Sequence, residues 1–496
     1  MPQSSYILAL DQGTTSSRAI LYDQQFNVIA TTQKEFKQYF PKLGWVEHNA
    51  NEIWESQLAV AREIITKADI KPEEIVGIGI ANQRETTVVW NRKTGKPINN
   101  AIVWQDRRTA DYCDGLKESG HESTIASKTG LVIDAYFSAS KIRWILDNIA
   151  GAKEQANNGE LAFGTIDSWL IWNLTNGESH ITDVSNASRT QLLNIHTLEW
   201  DNELLNIFNI PASILPTVVD SSGELAVTSK KFFGKEIKIA GIAGDQQAAL
   251  FGQTCFKAGE AKCTYGTGCF LVFNTGKTPV KSKHNLLTTV GWKIGEEVIY
   301  ALEGSVFMGG ATIQWLRDGL GLIKNASDSE SLALEVEDNG GVYFVPAHTG
   351  LGAPYWDPNA SGTITGITRG TTSAHITRAA IEGICFQVND VIHAMENDAD
   401  TKISQLKIDG GAVTNNLLVQ FQANISQTEV LRPTNLETTA LGAAYLAGIG
   451  TGLTGLESIK NYWSIDKSFT PNIKADAIEK TLKLWHKAVK RSKSWF

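Results

Sequence analysis

A chain of 496 residues, 42% hydrophobic and 20% charged, has ordinary globular composition and is long enough for two or three domains with substantial cores. Its formal net charge of -8 argues against a general nucleic-acid surface, which needs clustered Lys and Arg. The apolar runs are short and interrupted, so no integral membrane segment is expected.

Met1 to Ser5 shows no basic segment followed by an apolar one, so no secretory signal is expected and the cytoplasm is the expected compartment. Tyr6 to Leu10 has the pattern of a strand and leads into D-Q-G-T-T-S-S-R (Asp11 to Arg18), after which Ala19 to Asp23 alternates as a second strand. Two strands joined by Gly and small hydroxyl residues make a hairpin whose N–H groups can face an anion. Gly13 permits close approach, Thr14, Thr15 and Ser16 add hydroxyls, and Arg18 adds charge. Asp11 repels phosphate, so its plausible task is to hold a hydrated Mg²⁺. Such turns are mostly structural, so this motif needs company to carry weight. Asn27 to Thr32 continues as a third strand, and Ile53 to Ala68 has helical apolar spacing.

Ile75 to Ala81 is a continuous apolar strand that opens onto N-Q-R-E (Asn82 to Glu85), where Arg84 can donate to a polyhydroxylated molecule and Glu85 can accept from it. A surface ion pair is the plain alternative. Ala101 to Gln105 reads as a strand presenting Trp104, either a shield for a carbon chain or simply core, and a helix is expected from about Asp106. Tyr136 and Ser138 stand just ahead of an amphipathic helix reaching Asn148. Thr182 to Arg189 reads as a polar loop to which no chemistry can be assigned.

The segment G-I-A-G-D-Q-Q-A-A-L-F-G (Gly241 to Gly252) lies near the midpoint and puts Asp245 at a strand-to-helix turn, where α/β folds place ligand-binding groups. Taken alone, this Asp reads as a helix cap. Glu260 to Tyr265, Gly266-Thr267-Gly268 and Cys269 to Asn274 then repeat the opening hairpin about half the chain later, which suggests two related domains across a cleft. A further helix begins near Gly309 and Gly310 and carries Gln314. Gly341 to Pro346 reads as a buried strand. D-G-G-A-V-T-N-N (Asp409 to Asn416) follows the strand Gln405 to Ile408, so Gly410 and Gly411 allow a flat ring to lie on backbone and Asn415 can hydrogen-bond it. Thr438 to Gly448 is an Ala- and Gly-rich helix that should pack tightly, and the basic tail Lys483 to Lys493 reads as a solvated helical face. The five cysteines, Cys113, Cys255, Cys263, Cys269 and Cys385, are dispersed without C-x-x-C spacing and are expected as buried thiols.

A phosphate-binding P-loop is excluded, because Gly276-Lys277-Thr278 has Leu271 where the first glycine is required, and Gly77 to Asn82 fails the dinucleotide fingerprint at its last place. With D-Q-G-T-T-S-S-R, G-W-V-E-H, N-Q-R-E-T, N-A-S-R-T, T-Y-G-T-G-C-F and T-G-L-G-A-P-Y-W-D-P in this order, the chain resembles the FGGY carbohydrate kinases over essentially its whole length, and within them the members that phosphorylate glycerol. Both family signatures are present, at Tyr136 to Asn148 and Gly362 to Gly383.

The resemblance implies a two-domain α/β fold of the actin-like ATPase (ribonuclease H-like) type with an interdomain cleft, divided into residues 1–252 and 253–496. It implies that glycerol is held by Arg84, Glu85, Trp104, Tyr136, Asp245, Gln246 and Phe270. ATP would be held by Thr14, Thr15, Ser16, Arg18, Thr267, Gly310, Gln314, Gly411 and Asn415, with Mg²⁺ near Asp11. Asp245 would then be the general base, supported by Asp11, Arg18 and Thr267, and a homo-oligomer, dimer or tetramer, is expected. Two alternatives stay open: a related kinase of another small polyol or ketose, against which Trp104 and Phe270 argue, and a catalytically silent actin-like binding protein. Lys230-Lys231-Phe232-Phe233-Gly234 departs from relatives with a phosphorylatable histidine before the aromatic pair, so control by that modification is not expected.

Overall fold

A computed structural model describes residues 5–495, so the reading of Met1 to Ser4 lies outside the described residues. Apolar alternation and turn glycines produce two sheets. The first contains β1 (Tyr6–Gln12), β2 (Ser16–Tyr22), β3 (Val28–Glu35), β4 (Ile75–Asn82), β5 (Ser222–Val227) and β6 (Lys238–Gly244), in the order β5-β6-β4-β1-β2-β3. The second contains β7 (Glu260–Tyr265), β8 (Cys269–Gly276), β9 (Leu287–Ile294), β10 (Glu297–Val306), β11 (Gln405–Asp409), β12 (Glu429–Pro433) and β13 (Ile465–Phe469), in the order β9-β10-β8-β7-β11-β12-β13.

The repeat expected from the two glycine hairpins is present in the pairing itself. In the first sheet β1 is antiparallel to β2 and parallel to β4, which is parallel to β6. In the second, β7 is antiparallel to β8 and parallel to β11, which is parallel to β12. Because β1, β4 and β6 run together, the segments after Gln12, Asn82 and Gly244 emerge at one sheet edge. Gly266 and Gly410 emerge together from the other sheet, where Thr264 pairs with Asp409. Ligands of open α/β sheets bind outside such carboxyl ends.

The domains are joined by helices as well as by chain. Helix α1 (Ala50–Lys67) covers the first sheet, and α2 (Ser138–Asn148) and the short α3 (Val184–Ala187) belong to its insertions. Next come α4 (Asp245–Gly252), α5 (Gly310–Asp318), α6 (Asn416–Ser426), α7 (Thr438–Gly450) and α8 (Ala475–Ser492). The Ala/Gly composition of α7 lets it lie directly on α4 and the first sheet: a Cβ on Gly442 would stand 1.8 Å from the Ala248 carbonyl oxygen. Side chains of both domains share this core, including Ile7, Ile20, Phe251, Val272, Trp292 and Leu441.

Several local expectations shift. Only Ala101–Ile102 pairs as a strand, and the helix expected from about Asp106 begins at Ala110. The Asp106 carboxylate takes the Val46 N–H at 2.6 Å and the Arg108 guanidinium at 2.8 Å, which bends the chain before the helix starts. Thr182 to Arg189 is no loop: Ile181–Asp183 pairs as a strand, α3 follows with Asp183 capping it, and the whole segment is buried. The helix α8 buries Ile478, Trp485, Ala488 and Val489 and leaves its lysines in solvent. All five cysteines are free and buried. Among the described residues, no helix is long and apolar enough to cross a membrane.

Candidate active site

The first hairpin closes with Gly13 N–H donating to the Ser16 carbonyl at 2.9 Å. The backbone N–H groups of Thr14 and Thr15 donate to no acceptor among the described residues, which leaves them for a ligand. Thr14 Oγ1 accepts from Trp104 Nε1 at 3.0 Å, and Gln83 Nε2 donates to Gln12 Oε1 at 3.0 Å, so the strand ends are cross-tied. Trp104 meets Tyr136 edge to face with ring centroids 5.5 Å apart. The two rings form one wall, as a shield for a carbon chain requires.

Asp245 is the first residue of α4, and Gly244 takes the cap position. The Asp245 carboxylate accepts the Gln246 N–H at 2.7 Å and lies 3.1 Å from Arg84 Nε. Burial raises its pKa, against Arg84, the Gln246 N–H and Lys262, which lower it. A carboxylate made more basic while still half-buried beside a strand end is suited to taking a proton. Asp11, also half-buried, is pushed up to about 7 by burial, with Arg18 opposing and Glu437 and Asp245 adding to the rise.

Arg84 and Glu85 lie in one buried ion network. Arg84 forks onto both carboxylate oxygens of Glu303, with Nη2 donating to Oε1 at 2.9 Å, and gives Nη1 to Gln247 Oε1 at 3.2 Å. Glu85 accepts from Arg189 Nε at 2.7 Å, and Arg189 Nη2 donates to Glu303 Oε1 at 3.0 Å. The plain alternative of a surface pair is therefore excluded: Arg84 is 3% exposed and Glu85 1%. Lys262, fully buried in β7, donates to Gln246 Oε1 and to Thr264 Oγ1, the latter at 2.9 Å. Phe270 pairs with Thr264 and Ser305, so it stands on the sheet face that carries Lys262 and Glu303.

Sequence reasoning missed Arg189, Glu303 and Lys262. Their signal is the same in two cases: Lys262 and Glu303 are the charges in their strands past the first residue, and a charge inside a buried strand needs a partner. Arg189 was hidden in a segment whose polarity looked like exposure.

The second hairpin is tied to the start of α5, where Gly310 N–H donates to the Gly266 carbonyl at 2.8 Å and Gly309 N–H to that of Thr267 at 2.8 Å. Thr267 and Gln314 are exposed. Gly410 has φ +92°, and a Cβ there would stand 2.6 Å from the Tyr265 carbonyl oxygen, so glycine alone lets this loop lie on the end of β7. Gly411 is open: apart from its chain neighbours, no heavy atom of the described residues lies within 4 Å of a Cβ placed on it. Asn415 uses its Oδ1 to cap α6 through Leu418 N–H at 2.9 Å, which leaves its amide N–H groups to donate. Arg18 pairs with Glu437 across the domains rather than turning into the hairpin. No three His, Cys, Asp or Glu residues converge to hold a metal among the described residues. The Asp11 carboxylate at the end of β1 is a single oxygen ligand of the kind that can hold an ion such as Mg²⁺ through its waters.

Residues 6–252 match the N-terminal domain, and residues 261–451 the C-terminal domain, of the FGGY family of carbohydrate kinases. A glycerol kinase of Parabacteroides distasonis is 60% identical over 494 residues, 99% of this chain and of that protein. Glycerol kinase 2 of Thermotoga maritima is 58% identical over 491 residues, again 99% of each. The crystal structure of Plasmodium falciparum glycerol kinase with ADP superposes with a TM-score of 0.93 at 36% identity, covering 99% of this chain and 98% of that one. Gluconate kinase from Lactobacillus acidophilus shares the fold, with a TM-score of 0.88 at 24% identity and coverage of 98% and 97%.

Proposed function

The chain belongs to the FGGY family of carbohydrate kinases, and from that premise we propose that it transfers the terminal phosphoryl group of ATP to glycerol, giving sn-glycerol 3-phosphate and ADP. The observation that carries this reading is the Asp245 carboxylate: half-buried at the domain junction, made more basic by burial, and held 3.1 Å from Arg84. Near full-length kinship with glycerol kinases supports glycerol as the acceptor.

A primary alcohol that keeps its proton is a poor nucleophile. In this reading Asp245 accepts the proton of the terminal hydroxyl as its oxygen forms a bond to the γ-phosphorus and the bond to the ADP oxygen breaks. Arg84 donates to, and Glu85 accepts from, the other hydroxyls, while Trp104, Tyr136 and Phe270 pack the carbon backbone. The free N–H groups of the first hairpin and Thr267 face the phosphates, Arg18 joins them on leaving its pair with Glu437, and Gly310, Gln314, Gly411 and Asn415 line the adenosine side. Asp11 fits Mg²⁺ held through water, and the ion when bound would neutralise phosphate charge. Burial pushes the Asp11 carboxyl up to about 7, so metal uptake near neutral pH would release a proton.

The test is product identification. Purified protein with ATP, Mg²⁺ and glycerol should yield glycerol 3-phosphate, with xylulose and gluconate run as competing acceptors. Preference for either of those would assign the site to a larger substrate, and no transfer to any acceptor would leave a binding protein.

A further inference from the structure

The two side chains that grip the polyol in this reading depend on two others. Glu85, Arg189, Glu303 and Arg84 form an alternating row of charges, each linked to the next by at least one hydrogen bond between 2.7 and 3.0 Å. Every member is at most 3% exposed. Three come from the N-terminal domain, whereas Glu303 lies on β10 of the C-terminal domain. Desolvating four charges makes such a row a weak device for stability, since well-packed apolar side chains brace an interface as well. Its place beside Asp245 therefore calls for another explanation.

The row is also incomplete in one respect. Arg189 Nη1 is buried without a hydrogen-bond partner among the described residues, so a donor remains unspent beneath the site. Glu85 has φ 59°, a left-handed conformation that a glutamate adopts at some cost. Two ties oppose that cost: Ser138 Oγ donates to the Glu85 carbonyl at 2.9 Å, and Arg189 holds the carboxylate. Burial opposes ionisation of Glu303, but the guanidinium groups of Arg189 and Arg84 outweigh it and hold the carboxyl down at about 2.

We propose that Glu303 and Arg189 are positioning residues for the polyol: Glu303 fixes the forks of Arg84 and Arg189, and Arg189 fixes the carboxylate of Glu85. The grip on the substrate is thereby conditional on the C-terminal domain being docked. Opening of the domains parts Glu303 from both arginines and loosens Arg84 and Glu85 together, and polyol binding strengthens docking to the same degree.

The proposal rests on the polyol-site reading above, and its test separates the two. Glu303→Gln keeps the shape and one acceptor, whereas Arg189→Lys keeps the charge but cannot bridge two carboxylates. Each should raise the glycerol KM on the order of 10- to 100-fold, the worth of one or two charge-assisted hydrogen bonds. The ATP KM should move little, and thermal melting in each variant identifies any general loss of fold. If Glu303→Gln does not fold, Arg189→Lys decides alone. An unchanged glycerol KM, or equal rises for both substrates, overturns the proposal and leaves the reading of the site standing. If the unaltered enzyme does not phosphorylate glycerol, the reading itself fails.

Discussion

Arg84, Glu85, Arg189 and Glu303 are buried and bonded to one another, whereas Thr15, Thr267, Gln314 and Gly411, on the proposed nucleotide side, stand exposed. The difference follows the ligands. A small neutral polyol brings few contacts, so its site gains by having donors and acceptors fixed beforehand, with little ordering left to do on binding. A nucleotide brings its own charge and a large flat ring. Open backbone N–H groups and a bare glycine surface suit it, and domain closure can complete the contacts.

The largest expected effect strikes the reaction rather than either half. Asp245→Asn keeps the size and the bond to Gln246 N–H but cannot take a proton, so kcat should fall on the order of 10²- to 10⁴-fold with both KM values nearly kept. In the unaltered enzyme kcat should decline as pH drops through a pKa above the ordinary carboxylate value of 3.8, because burial raises that of Asp245. A pH-rate profile reads this limb directly.

Arg84→Ala attacks the buried half. It removes the proposed polyol donor and strips Glu303 of one partner, so the glycerol KM should rise strongly while stability drops by about 3 to 5 kcal/mol. Kinetics and chemical denaturation on the same preparation separate the two effects. Gly411→Val attacks the open half. Nothing lies within 4 Å of a Cβ there, so melting should stay put while the ATP KM alone rises. A rise of roughly tenfold corresponds to ~1.4 kcal/mol of lost contact. If both variants shifted both KM values equally, the contrast between the halves would be lost.

The smallest effect concerns Asp11. Its carboxyl moves from 3.8 up to about 7 chiefly through burial, so the folded state holds that proton more tightly than the unfolded chain. This contribution is fully present below pH 3.8 and is lost as pH rises to about 7. Without Mg²⁺, Asp11→Asn should therefore raise the melting temperature more at pH 8 than at pH 4. Calorimetry at the two pH values checks the sign.

Much of this contrast was legible in the sequence. Both hairpins, the strand before Asp245 and the glycine loop after β11 were marked by glycines and period-two alternation, which are local signals. So was the tight packing of α7, because a run of Ala and Gly has no other use in a core. What escaped was long-range. Glu303 meets Arg84 and Arg189 across separations of 219 and 114 residues, and no local pattern states which charges will meet. The segment before Arg189 was misjudged because Ser, Asn and Asp favour loops. Here their side chains bond one another instead, with Asp183 accepting from Ser185 and Ser221, so polarity and burial coexist. Trp104 left its expected strand because Asp106 spends its carboxylate on Arg108 and on the Val46 N–H.

The most direct measurement is ADP release by the purified protein with ATP and Mg²⁺, recorded before and after glycerol is added. Slow or absent release beforehand, followed by rapid turnover on addition, is what a phosphotransferase with a pre-formed polyol site requires. Release that is the same with and without glycerol would contradict it.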